Sequence, residues 1–316
     1  MHTDMGRGRD DRLRLFVLGS AAGGGSPQWN CCCAVCRLHW AGDERVEPRS
    51  QSSIAASADG RNWLLLNASP DLRQQIVASP RLSPVAGVDE TVRRATPIAA
   101  VLVTNGDVDH IAGLLTLREK QRFPLYGTAG VLGMVAESPV FQVLDPAFVE
   151  KRPVEIGARF EPVPGLSVEI FSVPGKVPLF MEKGEVDVGE ESEMTVGVRL
   201  SAHGRTAYYI PGCAHLTDQL KARIAGADCL LFDGTLFEDD EMRRAGVGEK
   251  TGRRMGHMPI AGEGGSMNAF EGLHIGRRAY IHINNTNPIL VKGSDERKAV
   301  EAAGWAVTHD GMEIAL

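Results

Sequence analysis

The sequence has no apolar stretch approaching the roughly 18 residues that a helix needs to span a bilayer. A helical membrane protein is therefore excluded. It also lacks any basic run longer than a few residues, and its formal net charge is −6. That balance argues against a nucleic-acid partner held by phosphate neutralisation. The opening stretch "MHTDMGRGRDDR" has no apolar core behind it and does not read as a signal peptide. Residues 1–12 are expected to form a disordered N-terminal arm and residues 13–316 a single domain, in the cytoplasm. There is no internal repeat, heptad run or low-complexity linker. The glycine-rich segment "GSAAGGG" (19–25) has neither the G-x-G-x-x-G spacing of a dinucleotide site nor a following G-K-[ST]. It reads either as a flexible turn or as a backbone wall that lets a substrate approach closely.

What is present begins with cysteine. Of six cysteines, four fall within "NCCCAVC": Cys31, Cys32, Cys33 and Cys36. A disulfide framework would spread its cysteines along the chain, whereas Cys33-x-x-Cys36 with Cys31 just before it is a metal-clip spacing. Cys31, Cys33 and Cys36 are expected to hold a structural Zn, with Cys32 pointing away. Packed thiols, or a redox pair at Cys33 and Cys36, are the competing readings. Cys213 and Cys229 stand apart and read as buried thiols.

Short apolar runs predict strands at "LRLFVLG" (13–19), "IAAVLV" (98–103), "LSVEIFSV", "TVGVRLSA", "TAYYIPG", "DCLLFDG" (228–234) and "RAYIHIN" (278–284). "PLYGTAGV" also reads as strand-like. "SSIAASADGRNWLLLNAS" (52–69) reads as two strands turning at Asp59-Gly60. Helices are predicted at 70–79, 112–120 and 216–226, and the closing "WAVTHDGMEIAL" as a hairpin. Strands come in runs with helices between them, which suggests two packed sheets with helices outside, an α/β arrangement.

The segment "TNGDVDHIAGLL" (104–115) leaves a predicted strand and enters a predicted helix. Asp107 and Asp109 fit an N-cap and an acidic first turn. They fit equally well a loop that converges alternate side chains, with His110, on a metal ion. The residues alone leave both readings open.

The order strand, x-H-x-H-x-D-H, helix is the signature of the metallo-β-lactamase fold. This segment resembles it, with Asn105 and Asp107 in place of the first two histidines and with Asp109 and His110 kept. "SVPGKVP" (172–178) is similar to the family's next metal loop, with Lys176 at the histidine position. In "YIPGCAH" (209–215), Cys213 stands at the bridging-aspartate position, and "YIHINNT" (280–286) keeps His282. Together with "LLNASPDLRQQI", "FDGTLFEDDEM", "GHMPI" and "IHINNTNP", these motifs resemble the coenzyme PQQ synthesis protein B family across roughly residues 13–290. The family usually reads N-C-N-C-x-x-C, so Cys32 departs at a non-ligand position.

The resemblance implies a metallo-β-lactamase-like αββα sandwich of two mixed sheets. It implies a role in building pyrroloquinoline quinone (PQQ) from a tyrosine-derived Glu–Tyr precursor, through ring hydroxylation with non-haem Fe(II) and O₂. His110 and His282, with Asp107 or Asp109 and with Asp233, would hold the active-site ion, for which Mn or Zn are alternatives. Lys176 would bind a carboxylate or steady a phenolate, His257 would act as acid, base or substrate contact, and Arg73 would clamp a carboxylate. The competing classes are a metal-dependent hydrolase and a non-enzymatic PQQ carrier. A lysine where a second cation would sit weighs against the two-metal hydrolase. A homodimer is left open. Asn285 occupies the place where related phosphodiesterases put a histidine on the structural Zn. An amide is a poor Zn ligand, so a water, a carboxylate or another residue is expected to complete that site.

Overall fold

The computed structural model describes residues 11–84, 94–178, 181 and 188–316. Residues 1–10 of the expected arm lie outside them. Fourteen strands among the described residues form two seven-stranded sheets. The first contains β1 (Arg14–Gly19), β2 (Ser53–Ser57), β3 (Trp63–Leu66), β4 (Ile98–Leu102), β5 (Phe123–Gly127), β6 (Val149–Pro153) and the last strand, β14 (Glu313–Ala315). The second contains β7 (Arg159–Val163), β8 (Leu166–Gly175), β9 (Glu190–Ala202), β10 (Arg205–Ile210), β11 (Cys229–Asp233), β12 (Arg277–Ile281) and β13 (Trp305–Val307). Their orders are β14-β1-β2-β3-β4-β5-β6 and β13-β12-β11-β10-β9-β8-β7. Each sheet is mixed: the pairings from β14 to β3 and from β7 to β10 are antiparallel, and the remaining three in each sheet are parallel.

Alternation along each strand sorts its side chains between two cores. Leu15 and Val17 of β1 and Leu64 and Leu66 of β3 meet Ile170, Leu200, Tyr209 and Leu231 of the opposite sheet. Phe16, Leu18, Trp63 and Leu65 face the other way, under the helices. Strands buried on both faces, such as β3, β4 and β11, read as unbroken apolar runs, whereas β6 and β7 at the sheet edges are largely exposed and give no such signal. The helices are α1 (Ala34–Trp40), α2 (Leu72–Ala78), α3 (Val108–Ile111), α4 (Ala129–Glu137), α5 (Asp218–Ile224), α6 (Glu241–Arg244), α7 (Ser266–Ala269) and α8 (Asp295–Ala302). No helix among the described residues is long and apolar enough to cross a membrane.

Three expectations need correction. The C-terminal segment is not a hairpin: β13 pairs in parallel with β12, while β14 pairs antiparallel with β1 in the other sheet. A parallel return needs a crossover, and α8, which the sequence reading did not mark, supplies it. The helix expected over 112–120 is the single α-turn α3 followed by a 3₁₀ segment, Ala112–Arg118. Tight anchoring explains this, because Ala68 N donates to His110 O at 2.8 Å and Gly113 N donates to Ala68 O at 2.8 Å. "PLYGTAGV" is strand only as far as Gly127; Thr128 then caps α4 by accepting from Val131 N.

A Cβ at Gly113 would fall 2.1 Å from the Ser69 carbonyl oxygen. Gly113→Ala is therefore expected to lower stability by about 1–3 kcal/mol, as overpacked sites do. An unchanged urea midpoint would contradict this close approach.

Candidate metal centre

The parallel strands of both sheets release their C-terminal ends toward one place, the usual position of a binding crevice in open α/β sheets. After β4 the chain turns through Asn105. Its side-chain oxygen accepts from Asp107 N at 3.0 Å and from His110 Nδ1 at 2.7 Å. His110 is thereby fixed with its proton on Nδ1 and a lone pair on Nε2. That Nε2 is buried and has no hydrogen-bond partner. Asp109 Oδ2 lies 3.7 Å from it, too far for a hydrogen bond. Burial pushes the His110 pKa down to about 4, against the pull of Asp109, so the ring stays neutral.

His282 follows β12 at a φ of +60°, a left-handed conformation that is uncommon outside glycine. Its Nε2 lies 3.0 Å from Asp109 Oδ2, and its Nδ1 lies 2.9 Å from Thr235 Oγ1. The His110 and His282 rings meet edge to face at 5.3 Å. Burial opposes charge on His282, but the Asp109 carboxylate outweighs it and raises the pKa. Burial also opposes charge on Asp109, and the two imidazoles hold its pKa well below the ordinary carboxylate range. Asp109, His110 and His282 can each offer one ligand atom, all within 4.8 Å of one another. The glycine-rich loop closes one side: a Cβ at Gly23 would rest 3.5 Å from Asp109 Cγ.

Behind this group stands Thr235, which the sequence reading did not single out. Its hydroxyl is 2.7 Å from Asp233 Oδ1, 2.9 Å from His282 Nδ1 and 3.1 Å from His257 Nδ1. A hydroxyl has one proton, and the carboxylate is the strongest acceptor of the three. Thr235 thus donates to Asp233 and accepts from His282 Nδ1–H, so His282 Nε2 is the nitrogen that faces Asp109 and donates to it when the ring is protonated. Its only sequence signal was its place two residues past Asp233, at the end of β11.

Asp233 is fully buried. Its Oδ2 accepts from Cys213 N at 2.9 Å and His257 Nδ1 at 2.7 Å, and its Oδ1 from Thr235 N and Oγ1. Asp233, His257 and His282 form a second group whose ligand atoms lie within 4.8 Å of one another, and in it the Asp233 oxygens already accept these four bonds. His257 stacks on His282 at 5.2 Å, and its Nε2 remains for a bound molecule. Lys176 follows β8, half-buried, with Nζ donating to Val177 O at 3.1 Å. Asp107 stands at the N-terminus of α3 and makes no capping bond. Burial and then the Asp109 charge raise its pKa, while Lys176, His257 and His282 pull it down. Those groups therefore share one electrostatic environment, though Asp107 is not among the grouped ligand atoms. Cys213 is a buried thiol whose pKa burial raises, and Cys229 is likewise buried. Arg73 needs correction: it is exposed on α2, whose buried residues are Leu72 and Gln75, so the helix turns it to solvent.

A second centre lies at the start of α1. Cys31, Cys33 and Cys36 are buried with their sulfurs grouped, while Cys32 is exposed. Cys33 caps α1, with Cys36 N donating to its sulfur at 3.5 Å, and Cys33 N donates to Cys31 Sγ at 3.4 Å. Asn285 Nδ2 lies 3.2, 3.8 and 3.3 Å from the sulfurs of Cys31, Cys33 and Cys36. Burial pushes the Cys33 thiol up to about 12 and raises Cys36, whereas hydrogen bonds outweigh burial at Cys31 and lower it. Three thiols pressed together at unlike pKa values suit a cation that takes all three as thiolates.

The sequence matches the Beta-lactamase superfamily domain over residues 62–283. Coenzyme PQQ synthesis protein B of Methylorubrum extorquens (strain PA1) is 58% identical over 304 residues, covering 96% of this chain and 100% of that protein. The protein of the same name from Rhizobium meliloti (strain 1021) is 54% identical, covering 96% and 98%. The crystal structure of Zn(2+)-bound PqqB from Methylobacterium extorquens superposes with a TM-score of 0.93 at 58% identity, covering 96% of this chain and 100% of that one. A diphosphatase of the PhnP family shares the fold, with a TM-score of 0.68 at 22% identity and coverage of 96% and 97%. By full-length identity and by fold, the chain belongs to the coenzyme PQQ synthesis protein B family of the metallo-β-lactamase superfamily.

Proposed function

We propose that this protein acts in PQQ biosynthesis as a mononuclear metal-dependent oxygenase, hydroxylating the tyrosine ring of a Glu–Tyr-derived precursor with Fe(II) and O₂. The observation that carries this reading is the orphaned lone pair of His110 Nε2 beside Asp109 and His282. Two imidazoles and one carboxylate are the donor set of non-haem Fe(II) oxygenases, which keep positions open for substrate and O₂. Iron bound there would supply the activation of O₂. Asp109, His110 and His282 would hold it, and Asn105 and Thr235 would fix the tautomers of the two histidines. Side-chain exposures of 15% for Asp109 and 18% for His257 leave a solvent path to the group.

The remaining residues would serve the substrate. Lys176 supplies an ammonium for a precursor carboxylate or a developing phenolate. His257, braced by Asp233, offers Nε2 to take or give a proton at the ring hydroxyl. Asp107 lies in the same electrostatic environment and would balance Lys176. The two-metal hydrolase reading is weakened here. Asn105 spends its amide oxygen on His110, Lys176 brings a positive charge, and Cys213 is a buried thiol of raised pKa.

Three tests follow. Purified protein loaded anaerobically with Fe(II), then given O₂, a tyrosine-containing dipeptide and a reductant for the second oxygen atom, should consume O₂ and yield hydroxylated dipeptide. His110→Ala should cut the rate by at least about tenfold, as loss of a ligand does, while Arg73→Ala should leave it unchanged. Equal uptake by wild type and His110→Ala would sink the assignment. Thr235→Val should weaken Fe(II) binding by about 10–100-fold, the usual cost of losing a ligand's supporting partner; calorimetry showing full affinity would refute that role. Finally, the raised pKa of His282 means that the ion must displace a proton below that pKa. Affinity should rise with pH and then level off, with proton release measurable by an indicator dye. Affinity independent of pH would contradict this.

A further inference from the structure

Two side chains of the segment "LLNASPDLRQQI" (65–76) are spent outside their own helix. Asp71 stands at the N-cap of α2, where a carboxylate ordinarily accepts a helix N–H, and makes no capping bond. Its Oδ2 instead accepts from Gln51 N at 2.9 Å and from Gln51 Nε2 at 3.0 Å. Gln75, buried one turn along, donates from Nε2 to Gln51 O at 2.7 Å and to Ser50 Oγ at 2.8 Å. The start of α2 thus grips Gln51 by backbone and side chain together. Gln51 Oε1 is left for one group beyond the helix, and it accepts from Gly24 N at 3.0 Å.

Gly24 belongs to the turn from Ala22 to Gly25, closed by Gly25 N donating to Ala22 O at 3.1 Å. On its other side the turn is tied to the residue after His282, because Ala22 N donates to Ile283 O at 2.9 Å. Ala21 N donates to Ser50 O at 2.9 Å and Ser26 N to Arg49 O at 2.8 Å. Among the amides from Ala21 to Ser26, the N–H of Gly23 alone has no partner among the described residues. Gly23 is exposed, and it is the residue of this loop that lies against Asp109. Gly24 and Gly25 need glycine for their φ of +93° and +71°, whereas Gly23 has no positive φ. What glycine provides at 23 is an uncovered N–H and an unobstructed approach to the exposed edge of Asp109. The buried, unpartnered His110 Nε2 marks the same place as one where a ligand is missing.

We propose that the Gly23 N–H donates a hydrogen bond to an anionic oxygen of the substrate, a carboxylate or the ring phenolate, and that Gln51 is the positioning residue that holds it there. This inference deepens the oxygenase reading above and rests on it. Asp109 alone would repel an anion, but a divalent ion beside a single carboxylate leaves the centre net positive, and Lys176 adds to that charge. A backbone donor fixed on both sides loses little freedom when it binds, which is why such groups suit a developing or resident negative charge.

The test uses the full-length protein loaded with Mn(II), as wild type, Gly23→Pro, Gly23→Ala and Gln51→Ala. Mn(II) affinity, read by electron paramagnetic resonance, reports whether the metal centre is intact in each. Calorimetry then measures binding of the dipeptide Glu–Tyr and of the analogues Gln–Tyr, Glu–Phe and Glu–Tyr amide, each of which lacks one of the candidate oxygens. Proline removes the N–H but suits the second position of a turn whose third residue has positive φ. Gly23→Pro should therefore bind Glu–Tyr about 10–100-fold more weakly, the usual scale for a hydrogen bond to a charged group. Gly23→Ala, which keeps the N–H, should bind it more tightly than Gly23→Pro. Gln51→Ala should weaken it by at least about threefold, through a poorly held donor, with Mn(II) affinity kept. For the analogue that lacks the accepted oxygen, all variants should approach wild-type affinity, and that analogue identifies the oxygen. Wild-type binding of Glu–Tyr by Gly23→Pro would overturn the donor, and so would an equal loss for all four peptides, which marks a steric effect of the proline ring. Unchanged Glu–Tyr binding by Gln51→Ala would overturn the positioning role. Should Gly23→Pro fail to hold Mn(II), Gln51→Ala decides the donor by the same comparison of analogues. Failure of the wild type to bind Mn(II), or of its Mn(II) form to bind any of the peptides, would instead overturn the oxygenase reading, and this inference with it.

Discussion

A carboxylate set between two imidazoles requires a positive charge. At Asp109 that requirement organises the molecule's functional end. Burial opposes the ionised carboxylate, yet its pKa is held low by His110 and His282. His110 is kept neutral by burial, with its one buried lone pair unspent. The charge therefore falls to His282, whose pKa is raised. A proton on His282 satisfies Asp109 but does nothing for His110. On the proposed reading, an ion among the three would satisfy all of them at once, as a proton on His282 does not.

The sandwich supplies the rigidity such a site needs. Asp109 and His110 follow β4 of one sheet, and Asp233 and His282 end or follow β11 and β12 of the other. The inter-sheet core between Leu66, Leu102, Tyr209 and Ile281 is fully buried and holds the two sheet ends in fixed relation. Thr235 then ties His257 to the paired ends of β11 and β12, since its single hydroxyl contacts Asp233, His257 and His282. An orientation set by packing and hydrogen bonds together is far stiffer than one set by a loop alone.

Much of this was legible in the sequence because the relevant signals are local. The buried strands announced themselves as short apolar runs, while the polar, exposed edge strands β6 and β7 did not. The cysteine turn and the loop at 104–115 kept their ligand types in close spacing. What was not legible depends on distant partners. The closing "WAVTHDGMEIAL" has the alternation of a hairpin, but its halves pair with strands that lie in different sheets. The crossover α8 is two turns long with a single buried residue, Val300, too short an apolar face to read from the sequence. Arg73 carried the right charge on a predicted helix, and only the burial of Leu72 and Gln75 decides which face it occupies. Thr235 was quoted within a motif, yet a hydroxyl that orients two rings looks in one dimension like any strand-end threonine.

The replaced positions of the loop are best understood by what each new side chain does. An imidazole at 105 would point a lone pair at a metal; the amide there uses its oxygen to set the tautomer of His110. An imidazole at 176 would be a further ligand; the lysine introduces a charge that offsets part of the rise in the Asp107 pKa and disfavours a second ion. A carboxylate at 213 would bridge two ions; the thiol there is buried and its pKa is raised by that burial. None of the three changes removes a group from Asp109, His110 or His282. One of them adds support, because the Asn105 amide orients His110 directly. Loss of a ligand set by drift would leave unsupported rings and unsatisfied acceptors, and the hydrogen bonds around His110, Asp233 and Thr235 are instead complete apart from the one nitrogen that faces the proposed ion. On the proposed reading the substitutions therefore convert a site for two ions and a hydroxide into a site for one ion with room beside it.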